Sequence, residues 1–429
     1  MSFDWPKVKL QEVTTKLGDG LHGTPVYDEQ GDYHFINGNN LENGWIAVSE
    51  KTKKTSKIEY LKHKKELNDR TVLVSINGTI GNVALYRGEK VFLGKSACYF
   101  NVVDTVDKGF VFYVMVSRFF QDYINSMATG STIKNVSLQL MRDFEFHLPP
   151  LTEQKEIASI LSALDNRISL LREANTTLEA IAQTLFKSWF VDFDPVKAKA
   201  EGRLPEGMDE ATAALFPSEF EESALGLIPK GWRVGTLGDI AQTVKKQLQT
   251  SELNTDLLYV GLEHIPRQSL SLTNWDNAEG LGSAKSVFSK GDILFGKLRP
   301  YFHKVVIAPF DGVCSTDILI CQPKHKTYYG LVTMYLYSSA LVDYAARLSN
   351  GAKMPRINWK DLSDYPICIP PESLAAEYSQ VVIPLFERMT EGVHQSQTLT
   401  TLRDTLLPRL ISGQLRLNQA QDLVDEVEV

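Results

Sequence analysis

One stretch of this chain occurs twice. Residues 130–150 read GSTIKNVSLQLMRDFEFHLPP and residues 351–371 read GAKMPRINWKDLSDYPICIPP, an offset of 221. Apolar positions coincide: Ile133 with Met354, Val136 with Ile357, Met141 with Leu362, Phe144 with Tyr365 and Phe146 with Ile367. The pair Pro149-Pro150 aligns with Pro370-Pro371 without a gap, and Lys95-Ser96-Ala97 falls near Cys314-Ser315-Thr316. Each copy opens on a tryptophan, Trp5 or Trp232, followed by a Lys/Arg-Val pair and a leucine, Leu10 or Leu237. A domain-sized repeat calls for two copies of one fold, each with its own core.

A long helix is expected behind each Pro-Pro pair. Ile157, Leu164, Leu171, Leu178 and Leu185 recur every seventh residue, with Leu161, Ile168, Asn175, Ala182 and Trp189 as the companion series. Two such series form the seam of a coiled coil, and at about 1.5 Å per residue the run makes a rod of roughly 58 Å. Shifted by 221, the first series becomes Tyr378, Leu385, Gly392, Leu399 and Leu406, and Ser396 takes the place of Asn175. Pro384 and Gly392 are expected to interrupt this second helix. A polar residue in such a seam either fixes register or turns to solvent.

The globular parts read as mixed α/β. Short strands are expected at residues 73–76, 83–86, 97–100, 292–295 and 304–307, and helices at 110–126 and 329–348. Residues 192–228, with three prolines and many acids, read as an irregular linker with one short helix. The expected class is α+β: two mixed α/β units separated by two long, antiparallel-paired coiled-coil helices, a pseudo-twofold duplication. The expected divisions are 1–151, 152–228, 229–371 and 372–429.

A net charge of −7 speaks against a nucleic-acid partner until its distribution is read. Residues 1–150 carry 18 Lys+Arg against 17 Asp+Glu (+1), and 151–228 carry 7 against 14 (−7). Residues 229–371 carry 16 against 12 (+4), and 372–429 carry 4 against 9 (−5). The globular parts are neutral to basic and the helical parts acidic, and phosphate binding needs only local positive charge. The four cysteines are scattered and never spaced C-x-x-C, which argues against a zinc site and a disulfide framework. With no run of ~18 apolar residues and no signal-peptide pattern at the start, the expected location is cytoplasmic, away from membranes.

Catalytic motifs fail on inspection. Gly18-Asp19-Gly20-Leu21-His22-Gly23 fits G-x-G-x-x-G, but Thr14-Thr15-Lys16 precede it and Pro25 follows, so the strand and helix of a dinucleotide site are missing. Gly94-Lys95-Ser96 would need a glycine at position 89 to end a phosphate loop, and Glu89 stands there. There is no G-x-S-x-G, no metal-ligand pattern among the eight histidines, and neither Pro-Pro pair follows the Asn, Asp or Ser of an adenine-methylating loop. No catalytic residue and no metal ligand is assigned.

Base edges are read by Arg, Lys, Asn, Gln, Ser and Thr on loop or helix tips. In the first copy the candidate DNA-binding residues are Asn37, Asn39, Lys54, Asn77, Thr79, Lys95, Ser96, Thr132, Lys134 and Asn135. In the second they are Lys297, Arg299, Tyr301, His303, Ser315, Thr316, Lys353, Arg356 and Asn358. Residues 51–65 carry seven lysines, a natural phosphate track or an ordinary solvated face. Helix pairing and subunit docking fall to Ile157, Leu164, Leu171, Leu178, Leu185, Leu385, Leu399 and Leu406. A self-contained DNA-modifying enzyme and a coiled-coil scaffold remain open at this point.

Three segments carry a family resemblance over essentially the whole chain. They are Asp19-Gly20-Leu21-His22-Gly23-Thr24-Pro25-Val26-Tyr27 leading to Phe35-Ile36-Asn37-Gly38-Asn39-Asn40-Leu41; Leu148-Pro149-Pro150-Leu151-Thr152-Glu153-Gln154-Lys155-Glu156-Ile157 with the rod behind it; and residues 185–195, LFKSWFVDFDP, with the Gly-Arg-Leu-Pro run after them. The chain resembles the specificity subunit of a Type I restriction-modification system. The resemblance implies that each globular unit is a target recognition domain for one half of a split site in double-stranded DNA. It implies helices that set the gap and dock two modification (methyltransferase) subunits. It also implies restriction subunits that join to cleave. No cofactor is then expected in this chain, S-adenosylmethionine belonging to the modification subunit. The second copy departs from the pattern: it lacks the D-G-x-H-x-T-P-x-Y run and has Ser373-Leu374-Ala375-Ala376-Glu377 where the first has Thr152-Glu153-Gln154-Lys155-Glu156. Unlike half-sites and looser docking at the second helix are expected.

Overall fold

The structure is a computed structural model in which residues 5–130, 133–351 and 353–428 are described. Two helices dominate it, α1 (Leu151–Phe190) and α2 (Glu372–Ile411). The chain divides into two compact units, Met1–Arg167 with Thr398–Val429, and Ile168–Gln397. Each long helix contributes one end to each unit.

The first unit is built on an antiparallel sheet with strands in the order Thr14–Asp19, Ala97–Val102, Thr71–Ser75, Val83–Leu85. A three-stranded sheet (Lys54–Thr55, Tyr33–Ile36, Val91–Leu93) lies beside it in the sequence order, and Lys7–Lys9 pairs antiparallel with Glu145–His147. The central strands are buried along their whole length, because both faces are covered. The second unit repeats the scheme: Ala241–Val244, Ile318–Pro323, Ile293–Gly296, Val305–Ile307, with Arg233–Thr236 pairing Pro366–Ile369. Its second sheet has grown to five strands. The two long helices and the duplicated mixed units are the class expected from the sequence.

Two single helices expected from apolar spacing are each two. Lys108–Val116 and Arg118–Met127 break at Ser117, and Tyr329–Tyr337 and Ser339–Leu348 break at Ser338, 221 residues on. Both serines adopt extended backbone, with ψ of 149° and 140°. Ser338 caps the following helix by accepting the Leu341 amide at 3.3 Å. The next short helices also correspond: Ser137 accepts the Leu140 amide at 3.1 Å, and Asn358 accepts the Asp361 amide at 2.9 Å.

Residues 192–228 are more ordered than an irregular linker. They form helices Asp194–Ala200 and Glu210–Ala214, and their last strands, Phe220–Ser223 and Gly226–Pro229, make a hairpin. Buried Val196, Ala213 and Phe216 anchor the stretch, and Lys199 Nζ donates to Ala213 O at 2.9 Å. Among so many acids, these few apolar anchors were easy to overlook.

The second long helix is unbroken, contrary to the expectation from Pro384 and Gly392. Pro384 is exposed, as is Gln380 one turn earlier, so the carbonyl that loses its N–H partner lies on the solvent side. Gly392 sits where the helices touch: a Cβ there would lie 2.6 Å from Asn175 Oδ1. Asn175 is buried and donates to Met389 O at 2.9 Å, so it faces the partner helix rather than water. Ala182 O accepts from the Tyr378 hydroxyl at 3.0 Å; rising numbers on α1 meet falling numbers on α2, the antiparallel sense. In the first unit Asp165 receives Arg403 Nη1 at 2.7 Å and the Tyr113 hydroxyl at 2.8 Å.

The seam itself shifts. Ile157, Leu161, Leu164, Ile168 and Leu171 are buried as the heptads require, and so are Leu399 and Leu406. Beyond Asn175 the buried positions become Glu179, Ala182, Phe186 and Trp189, while Leu178, Leu185 and Leu385 are half-buried at the flank of the core. A straight α-helix drifts about 20° per heptad relative to a 3.5 repeat. Here the drift is absorbed by the second unit's large aromatic core. All four cysteines are buried thiols, and burial pushes Cys314 and Cys368 up to about 12.

Candidate nucleic-acid interface

In the first unit, two loops are zipped together by backbone hydrogen bonds: Gly78 N to Lys134 O (3.0 Å) and Val136 N to Ile76 O (2.8 Å). A third loop joins through Ile76 N to Ser96 O at 2.9 Å. The second unit repeats every bond at the same offset: Arg299 N to Pro355 O (2.8 Å), Ile357 N to Lys297 O (3.1 Å), Lys297 N to Asp317 O (3.0 Å). The isolated bridges agree, Asn77 with Asn135 and Leu298 with Arg356. Gly130 and Gly351 turn the loop in both, with φ of +95° and +109°, a region that favours glycine. The 221-residue register thus reaches back to Ile76, and Ser96 corresponds to Asp317, not to Ser315 as the sequence comparison suggested.

One backbone scaffold therefore carries two sets of side chains. In the first unit Asn77 Nδ2 donates to Asn135 Oδ1 at 3.0 Å and Lys134 Nζ to Asn125 Oδ1 at 2.9 Å; Thr79 and Lys95 are exposed. Thr132 lies outside the described residues. In the second unit Arg356 occupies the Asn135 position and forms a fork on Asp317, Nε–Oδ1 2.9 Å and Nη2–Oδ2 3.3 Å. Those hydrogen bonds, then the carboxylate's charge, hold its guanidinium pKa above the ordinary value. Arg299 Nη2 donates to Lys353 O at 3.3 Å, and Tyr301 at the loop tip is 54% exposed.

Beside these loops the second unit has an open cleft of about 860 Å³. Lys297, Thr316, Arg356 and Asn358 line it, joined by Lys245, Gln247 and Lys360, which the sequence reading missed. The adjacent pair Lys245-Lys246 was the available signal. The first unit has a smaller recess of about 320 Å³, where Asn37, Asn39, Lys51 and Lys53 meet the rings of Tyr27 and Phe35. Most of the lysine track is exposed, including Lys51, Lys53, Lys57, Lys62 and Lys64, while Lys54 is half-buried in its strand. Lys62 is partly neutralised by buried Glu59 at 3.1 Å. The backbone hydrogen bond from Val26, followed by Lys62, holds the Glu59 carboxyl below its usual range.

Four candidates are buried or already committed to local structure. His303 is 8% exposed, with Nε2 against Tyr337 O at 2.8 Å. Ser96 is 9% exposed; its hydroxyl donates to Asn37 Oδ1 at 2.8 Å and accepts the Gly38 amide at 2.9 Å, bracing the Asn37 turn. Asn358 is exposed but committed as a helix cap, and Ser315 Oγ accepts the Asp317 amide at 3.2 Å. Turn and cap chemistry uses the same residue types as base recognition, so sequence alone does not separate the two.

The Type I restriction modification DNA specificity domain matches this chain twice, at residues 3–180 and 229–383. The Type I restriction enzyme MjaIX specificity subunit of Methanocaldococcus jannaschii is 25% identical, covering 97% of this chain and 94% of that protein. The Type I restriction enzyme EcoDI specificity subunit of Escherichia coli is 26% identical, covering 97% and 89%. Among solved structures, the Type I restriction-modification S subunit from M. genitalium shares the fold with a TM-score of 0.56 at 18% identity, covering 95% of this chain and 96% of that one. With both copies of the duplication matched, the chain belongs to the family of Type I restriction-modification DNA specificity subunits.

Proposed function

We propose that each unit reads one half of a bipartite target in duplex DNA, through the zipped loops described above, and that α1 and α2 set the gap between the halves. The observation that carries this is the recurrence of one backbone scaffold with different side chains: Asn77 and Asn135 in one unit, Leu298 and Arg356 in the other. Asparagine suits adenine edges and arginine suits guanine edges, so equivalent positions with different chemistry favour unlike half-sites. The lysine track and the basic cleft supply phosphate contacts, which position the chain without specifying sequence.

The chain performs no chemistry of its own in this reading. It docks two modification subunits, which hold S-adenosylmethionine and methylate adenine, and restriction subunits complete the complex. The long helices, with a lateral surface rich in exposed polar residues, are the docking elements.

The test is sequence-selective binding by the assembled enzyme carrying Lys134→Ala or Arg356→Ala. Discrimination against a single base change should fall roughly tenfold in one half-site only, a different half for each variant, in keeping with the usual cost of a mismatch. Unchanged selectivity in both variants would favour a scaffold that does not read DNA. Methylation by the purified chain alone would favour a self-contained enzyme.

A further inference from the structure

Glu179 is the one carboxylate of α1 and α2 that is buried among the described residues, at 6% exposure. Among those residues it has no ion-pair partner; neutral donors surround it instead. Its Oε2 accepts the Leu270 amide at 2.8 Å and the Ser269 hydroxyl at 3.4 Å. Its Oε1 accepts the Tyr337 hydroxyl in a short hydrogen bond and Gln183 Nε2 at 3.2 Å. Burying a carboxylate without a counter-charge is costly, and an apolar residue of similar size would pack there at less cost. A group retained at such a cost is a candidate for fixing geometry.

What it fixes can be followed outward. Tyr337 O faces His303 Nε2 at 2.8 Å, and the two rings lie 5.0 Å apart. Two residues before Leu270, Gln268 N donates to His303 O at 2.9 Å. His303 closes the loop that carries Arg299 and Tyr301. That loop is strained, and so is the segment facing it: Arg299 and His303 in the loop, and Gln268 opposite, have positive φ, at +50°, +51° and +52°, without being glycine. Such backbone persists only where its surroundings over-determine it, and it gathers at binding sites. Arg267 stacks on Phe302 at 4.0 Å and Pro300 is buried, which leaves Tyr301 as the exposed tip.

We propose that Glu179 is a positioning residue for sequence specificity: from the spacer helix it holds Tyr337 and the Leu270 segment, and through His303 it sets the strained Arg299–Tyr301 loop that reads the second half-site. The proposal rests on the reading of the second unit as a DNA reader. It gives the spacer helix a role beyond distance, since the helix also orients the loop it carries.

The experiment uses the full-length chain assembled with its methyltransferase subunits. Methylation rates are compared on duplexes carrying the intact target or single base changes in either half. Glu179→Leu should lower discrimination in the second half-site about tenfold, the scale of one lost mismatch penalty, and leave the first half within twofold. Glu179→Gln should restore most of it, because the amide oxygen still accepts from Leu270 N and the amide nitrogen can donate to the Tyr337 hydroxyl oxygen. Tyr337→Phe should give a smaller loss in the same half, and it decides the matter where Glu179→Leu does not fold. Unaltered second-half discrimination overturns the proposal, as does an equal loss in both halves or a Gln variant as impaired as the Leu variant. A wild-type complex that discriminates in neither half would instead refute the DNA-reading assignment itself.

Discussion

Asn175 and Gly392 form a close contact between α1 and α2 that a single substitution can probe. A Cβ at Gly392 would meet Asn175 Oδ1 at 2.6 Å, and the amide cannot retreat without releasing Met389 O at 2.9 Å. Gly392→Ala gains up to about 1 kcal/mol of helix propensity. Overpacking costs about 1–3 kcal/mol and an abandoned buried amide adds to it, so the variant should be less stable in urea. Adding Asn175→Ala to Gly392→Ala should recover part of the loss; a Gly392→Ala chain as stable as wild type would show that the contact is loose. The sequence placed Asn175 in the seam but left open whether it turned inward. It cast Gly392 as a break, because a glycine's helix penalty is visible in the sequence while the side chain it makes room for, 217 positions away by subtraction of the two numbers, is not.

Elements were easiest to read where one periodicity ran long. The heptads of α1 located its rod, and Leu73-Val74 or Leu294-Phe295 marked central strands. Where a short polar residue both ends one helix and starts another, as at Ser117 and Ser338, apolar spacing ran across the break and hid it. The zipped loops were only partly legible: the duplication was evident at residues 130–150, but upstream it survives in backbone hydrogen bonds while the side chains differ, Ile76 against Lys297 and Ser96 against Asp317. Asn358 illustrates the ambiguity of such residues. As the cap of Trp359–Ser363, it should cost about 1 kcal/mol of stability on replacement by alanine, measurable by thermal unfolding. Asn358→Ser, which keeps a capping oxygen, should retain both stability and DNA selectivity. Selectivity lost in Asn358→Ser at wild-type stability would mean that the amide reads a base.

At the scale of the whole molecule, the account depends on two units built alike and equipped differently, with neutral to basic charge in the globular parts and acid along the helical ones. Corresponding scaffolds explain why one family pattern matches twice. Different side chains at Asn135 and Arg356 explain why the target should be asymmetric, and long continuous helices explain why its gap should be constant. Methylation mapping of DNA modified by the wild-type complex tests these together. The account predicts a single motif with two unlike specified half-sites separated by a fixed number of unspecified base pairs. A continuous motif, a palindrome of identical halves, or a gap of variable length would contradict it.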